Sequence, residues 1–151
     1  MTEPLPESLA TIRDDFLALG VPDRLQLLLE FSNELPALPR EYEEHPDLLE
    51  RVEECQSPVF ILVEVTDPDG DGVRHVRMHA TAPAESPTTR GFASILAQGL
   101  TGLTTDEVLA VPADFPLTLG LTEAVSPLRI RGMVGMLGRV QRQVAALAAV
   151  A

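Results

Sequence analysis

The only thiol in the chain is Cys55, and the stretch RVEECQSPVFILVEV places two glutamates before it and an apolar run after it. The thiolate is the nucleophilic form of cysteine, and Glu53 and Glu54, as negative neighbours, disfavour it. A cysteine enzyme working alone would want the opposite. A thiol that reacts only after docking to a partner tolerates such neighbours. Pro58 fits only at a strand start or edge, so Cys55-Gln56-Ser57 reads as a loop feeding a strand, a common place for function. The competing reading is a small, reduced, inert residue, which is what most lone cysteines are.

Other chemistry is weaker. His75 and His79 are four apart, which on a strand is about 13 Å. They share a face but cannot share one zinc, so they read as exposed strand residues. His45 lies in a proline-rich segment that nothing in the sequence brings to Cys55, which leaves a Cys–His hydrolase unsupported. The stretch DPDGDG resembles part of a calcium loop but lacks the ligand spacing and the closing glutamate. It reads as a hairpin turn. There is no G-x-G-x-x-G, P-loop or H-E-x-x-H pattern, so neither a nucleotide nor a catalytic metal is expected.

One cation would offset the glutamates. At about 100° per residue, Arg131, Arg139 and Arg142 fall opposite the apolar stripe of the last helix, whereas Arg129 falls at its edge in the first turn. Arg129 is therefore expected near the domain body. Its role there is either an ordinary ion pair at a helix start or the holding of the cysteine loop and stabilisation of sulfur anions.

These residues need a scaffold. A chain of 151 residues, 45% of them hydrophobic, fits one domain spanning 1–151 with a core of ordinary size. A formal net charge of -12 repels phosphate backbones, so nucleic acid is not an expected partner. That charge suits solubility, or docking to a basic patch on another protein. One cysteine makes no internal disulfide, which suits a reducing compartment. The opening MTEPLPESLA lacks the features of a signal peptide. The longest apolar run, Val59 to Val63, is too short for a bilayer. A cytoplasmic protein without a membrane segment is expected.

Leu9, Ile12, Phe16 and Leu19 recur at helical spacing up to Gly20, and Pro22 opens a second helix whose Leu25, Leu28, Leu29 and Ser32 share a face. The two form a short antiparallel pair. Three prolines between Leu35 and Asp47 predict an extended loop. Val59 to Val65 predicts a strand with Val59, Ile61, Val63 and Val65 on one face. DPDGDG then turns the chain into a second strand, with Val76, Met78 and Ala80 inward. A short third strand is expected before Cys55. Ser86-Pro87, the pair Thr104 and Glu107, and Ser126-Pro127 start three more helices. The inner face of the first is Phe92, Ile95 and Leu96. The stripe of the last runs Ile130, Met133, Val134, Leu137, Val140, Val144 and Leu147. Helices flanking a small antiparallel sheet make an α+β domain, with the extreme N-terminus and 148–151 expected to fray.

Together these segments resemble the SufE-type sulfur-acceptor family, partners of cysteine desulfurases in iron–sulfur cluster assembly. The family's V-x-G-C-x-S-x-V-W core is matched by Val52, Cys55, Ser57 and Val59, with Glu54 in place of glycine and Phe60 in place of tryptophan. Its S/T-P-S-R-x-x-G-L signature looks like Ser126-Pro127-Leu128-Arg129-Ile130-Arg131-Gly132-Met133. An acidic residue before a helix with K/R-G-L is similar to Glu85 and Arg90-Gly91-Phe92, and LP-x-LP is present from Leu35 to Pro39. Glu50 stands where the family often has asparagine. The resemblance implies a SufE/NifU-like fold and a persulfide on Cys55, taken from a desulfurase whose turnover is stimulated. Arg129 would be supporting, and Glu54, Gln56, Ser57, Glu85 and Arg90 would belong to the loop and partner contact. It implies no cofactor in this chain, the pyridoxal phosphate being the desulfurase's, and an iron–sulfur scaffold as recipient. A regulatory module that binds a desulfurase without chemistry, and an independent cysteine hydrolase, are the alternatives.

Overall fold

Two serine–proline pairs begin the two helices on which the molecule is built. Ser86-Pro87 opens α4 (Pro87–Leu100) and Ser126-Pro127 opens α6 (Pro127–Ala148); proline at the first helical position loses no hydrogen bond, and its fixed φ suits the helix. Ser126 also caps α6, its hydroxyl accepting from the Arg129 N–H. The structure is a computed structural model and describes residues 5–149. Of the chain ends expected to fray, 1–4 and 150–151 lie outside the described residues, whereas Ala148 ends α6 and Ala149 caps it, its N–H donating to the Ala145 carbonyl.

α4 is the central helix. It is buried almost all round, with Phe92, Ile95, Leu96 and Leu100 no more than 1% exposed. Burying each such side chain is worth about 1.5–3 kcal/mol. α1 (Glu7–Leu17) and α2 (Val21–Asn33) both pack on it. The expected α1–α2 pair is therefore slight, its clearest contact being Phe16 stacked on Phe31 at 5.9 Å. In α2 the inward residues are Leu28 and Ser32, while Leu25 stands 37% exposed. Gly91 brings α4 against the Leu28 carbonyl, which a β-carbon would approach to 2.6 Å.

The sheet is antiparallel in the order β1–β2–β3. β1 is only Glu50–Arg51, pairing Glu50 with Ile61 and Arg51 with Phe60; β2 is Phe60–Val65 and β3 Val76–Thr81. The inward face carries Ile61, Val63, Val76, Met78 and Ala80, all at most 5% exposed. It packs on α4 and α6. The β2–β3 turn is ordered by Asp69, whose carboxylate accepts from the N–H groups of Asp71 and Val73, with Gly72 at φ 77°. α5 (Thr105–Ala110) starts with the expected Thr104–Glu107 capping box.

The segment 35–47 departs from expectation. It contains a five-residue helix, α3 (Arg40–Glu44), and a 3₁₀ turn at Pro46–Leu48. Pro39 precedes α3, where a proline obstructs nothing, and Tyr42 anchors it. The Tyr42 ring lies 5.5 Å from that of His79 on the outer sheet face. Burial, then Glu64, pushes the Tyr42 phenol well up, while His79 bonds Glu64. This cluster explains His79 as a structural residue; His75 pairs instead with Thr104. Among the described residues no group of three or more His, Cys, Asp or Glu is placed to hold a metal, and no helix is long and apolar enough to cross a membrane.

Candidate functional site

Cys55 lies in the loop between β1 and β2, closed at its base by Val52 N–H donating to the Val59 carbonyl at 2.9 Å. A turn inside the loop, with Cys55 N–H on the Val52 carbonyl at 3.1 Å, directs the side chain inward. The thiol is reduced and only 7% exposed. It faces Gly132 on the first turns of α6, where a β-carbon would stand 2.9 Å from Sγ. The glycine is thus required by the close approach of the sulfur.

The thiol opens onto a cavity of ≈ 190 Å³ between the loop and the starts of α4 and α6. Glu54, Gln56 and Ser57 line it from the loop, Glu85 and Thr89 from the α4 side, and Leu128 and Arg129 from α6. Ser57 and Ser86 share a hydrogen bond of 2.7 Å between hydroxyls. The Ser86 side chain therefore does not cap α4; it ties the cysteine loop to the helix start. Arg129 is exposed, and among the described residues its guanidinium has no ion pair or hydrogen bond. Among the described residues it makes no ion pair of the kind expected at a helix start.

Of the site residues predicted from sequence, Cys55, Glu54, Gln56, Ser57, Glu85 and Arg129 meet at this cavity. Arg90 does not. Its guanidinium donates to the Ser32 and Ala82 carbonyls at 2.9 and 2.7 Å, bracing the end of α2 and the chain after β3. The three histidines also lie outside the cavity lining.

The expected place of Arg139, opposite the packed face of α6, is wrong. Arg139 donates from Nε to both carboxylate oxygens of Glu54, at 2.7 and 3.0 Å, and from a terminal nitrogen to Glu50 at 2.7 Å. Glu50 also accepts from Arg142, and from Gln143 at 2.7 Å. Gln143 returns its carbonyl to the Val63 N–H, which the two-residue β1 leaves unpaired. Gly135 makes room for Glu54: a β-carbon there would come within 2.6 Å of the carboxylate. The loop thus lies across Gly132, Gly135 and Arg139, a flank of α6 whose glycines carry no apolar signal. The cation that offsets Glu54 is Arg139, not Arg129.

The electrostatics follow. Burial pushes the Cys55 thiol up to about 11, Glu54 adds to that, and Arg139 opposes it. Glu50 goes the other way: burial raises it, but hydrogen bonds from Arg142, Gln143 and Arg139 prevail and hold its carboxyl below the ordinary range.

Comparison with known proteins adds the lineage. Residues 10–144 match the SufE family profile, described as an Fe-S metabolism associated domain. The chain belongs to the SufE family. It is 52% identical over 145 residues to an uncharacterized SufE-like protein of Mycobacterium tuberculosis, covering 95% of this chain and 96% of that one. It is 29% identical over 142 residues to SufE-like protein 1, chloroplastic/mitochondrial, of Arabidopsis thaliana, covering 93% of this chain and 36% of that protein. The solution structure of a hypothetical protein from Thermus thermophilus superposes with a TM-score of 0.80 at 37% identity, covering 97% of this chain and 100% of that one. The α+β SufE-like fold expected from sequence is the fold observed.

Proposed function

We propose that this SufE-family protein is a covalent sulfur carrier, with Cys55 the acceptor and a cysteine desulfurase the donor. The observation that carries the reading is the shared cavity: the one thiol of the chain and the exposed guanidinium of Arg129, unpaired among the described residues, line the same small space. The Cys55 thiolate attacks the outer sulfur of the donor's cysteine persulfide. A new S–S bond forms on Cys55, the old one breaks, and its electron pair leaves on the donor cysteine, which takes up a proton. This is a thiol–disulfide type exchange with no net redox change and no metal. Arg129 offers a rigid fork of donors to the sulfur anions. The chain needs no cofactor of its own, the pyridoxal phosphate belonging to the donor, and the sulfur passes on to an iron–sulfur assembly scaffold.

Burial and the neighbouring Glu54 hold the Cys55 thiol up, which disfavours the thiolate in the protein alone. Incubation with a desulfurase and cysteine should add about 32 Da, one sulfur atom, to the intact protein, and Cys55→Ser should abolish both the added mass and the stimulation of turnover. Burial of the thiol favours one other reading, a module that regulates a desulfurase by docking alone. Full stimulation by Cys55→Ser would establish it. A hydrolase has no support, since no histidine lines the cavity.

A further inference from the structure

We infer that Arg139 is a positioning residue for the sulfur acceptor: by gripping both oxygens of Glu54, it latches the Cys55 loop onto α6 with the thiol turned inward. This rests on the sulfur-acceptor reading for its purpose, though not for its test. Three features of one helix flank act together. Gly132 receives the sulfur, Gly135 receives the Glu54 carboxylate, and Arg139 closes over it, with 2.7 and 3.0 Å contacts from one nitrogen. The same guanidinium reaches Glu50 at 2.7 Å, so one cation joins the strand before the loop to the residue beside the thiol.

At 7% exposure Cys55 offers little surface to a sulfur held on another protein, even through the cavity it lines. The loop must leave α6 to offer more, and Glu54, the next residue, must leave Arg139. The pair is of a kind that can open: its side chains are 25% and 31% exposed, so water and salt compete for both ions. An incoming partner with a cation for Glu54, or a carboxylate for Arg139, would release the loop as it docks. The latch thus ties exposure of the thiol to arrival of the partner.

The test uses the full chain alone, with the neutral reagent iodoacetamide and the intact mass as readout. Positioning and simple electrostatics predict opposite signs. Arg139 favours the thiolate, so on charge alone Arg139→Gln should slow alkylation. If Arg139 is the latch, Arg139→Gln should speed it about two- to fivefold, the scale on which a partly exposed charged pair holds an equilibrium. Arg139→Lys keeps the charge without the fork and should fall between wild type and Arg139→Gln. High ionic strength should speed wild type and leave Arg139→Gln unchanged. A slower or unchanged rate in folded Arg139→Gln overturns the proposal. If that variant does not fold, the wild-type salt response and its loss in Glu54→Gln decide, and a salt-independent wild-type rate overturns it. None of these outcomes depends on a desulfurase, so failure here leaves the sulfur-acceptor reading to its own test.

Discussion

The glycines of α6 allow the same substitution to be made twice, with opposite consequences. Gly138 faces open space, with nothing within 4 Å of where a β-carbon would be. Gly138→Ala therefore acts through backbone entropy alone and should stabilise by about 0.5–1 kcal/mol. At this chain length that is a Tm rise of about 1–4 °C. Gly132→Ala gains the same entropy, but its methyl would stand 2.9 Å from Cys55 Sγ, so the sulfur must move several tenths of an ångström. The adjustment is of the kind that costs about 1–3 kcal/mol in a packed interior. The net effect is a Tm at or below wild type, several degrees under Gly138→Ala. The displaced thiol should also alkylate faster, with Gly138→Ala as the unchanged reference. Melting curves and intact-mass alkylation read both quantities. If Gly132→Ala stabilises as much as Gly138→Ala and leaves alkylation unchanged, α6 is not the seat of the thiol, and the account of the loop built on it fails.

Three further outcomes follow from the same contacts. The native thiol holds its proton up to about 11 against an ordinary value of 9.0, so its contribution is complete below pH 9 and is lost as pH rises from 9 to 11. Denaturation of wild type and Cys55→Ala across that window should show wild type losing up to about 2–3 kcal/mol relative to the variant; a constant gap would refute the burial argument. Glu50→Gln should cost about 1–2 kcal/mol at neutral pH by breaking the bonds to Arg139 and Arg142. Because the Glu50 carboxyl is held low, urea melts should show that deficit shrinking as pH falls through its native value. Arg129→Lys and Arg129→Ala should impair sulfur transfer to similar extents while changing stability by less than about 0.5 kcal/mol, as befits an exposed, unpaired side chain. A large stability loss with normal transfer by the folded fraction would assign Arg129 to architecture.

What the sequence disclosed was what carries a periodic or chemical signal. The predicted stripe is buried from Ile130 to Val144 apart from a partly exposed Val134, but its last member, Leu147, is exposed where α6 outruns the core; the alternation Val76, Met78, Ala80 is the inner face of β3. The capping residues at Thr104 and Ser126 start their helices. Cys55 and Arg129 meet because the loop and the start of α6 adjoin, an arrangement visible through the family motifs rather than through spacing. The clamp was hidden for a physical reason. A helix face built to receive a loop presents glycines, and glycines leave a blank on a hydrophobic wheel. Arg139 beside that blank reads as solvated, and only the packed loop makes it half-buried. α3 was hidden because its prolines, Pro39 and Pro46, stop helices in general but here lie just outside one. Ser86 kept its place at the helix start and gave its hydroxyl to Ser57, a choice that only the fold makes.

On the sulfur-acceptor proposal Arg139 and Arg129 of α6 have different tasks, and their surroundings suit them to different ones. Arg139 has two carboxylates on its guanidinium, so its charge and donors are committed before any substrate arrives. A group so occupied restrains well but offers little to a developing sulfur anion. Arg129 is in the opposite state: exposed, at the cavity wall, without a partner among the described residues. Its donors become useful when an anion enters the cavity, and they cost no existing bond. Glu54 in the place of a family glycine then acquires a function rather than a penalty. It depresses the reactivity of the resting thiol and supplies the handle by which Arg139 keeps that thiol inside. A glycine there would give neither effect, so Glu54→Gly should leave the loop free and Cys55 quick to alkylate near neutral pH, with Arg139→Gln adding little on that background. A large additional effect of Arg139→Gln in the Glu54→Gly chain would mean that Arg139 acts through Glu50, and that the grip on Glu54 is incidental.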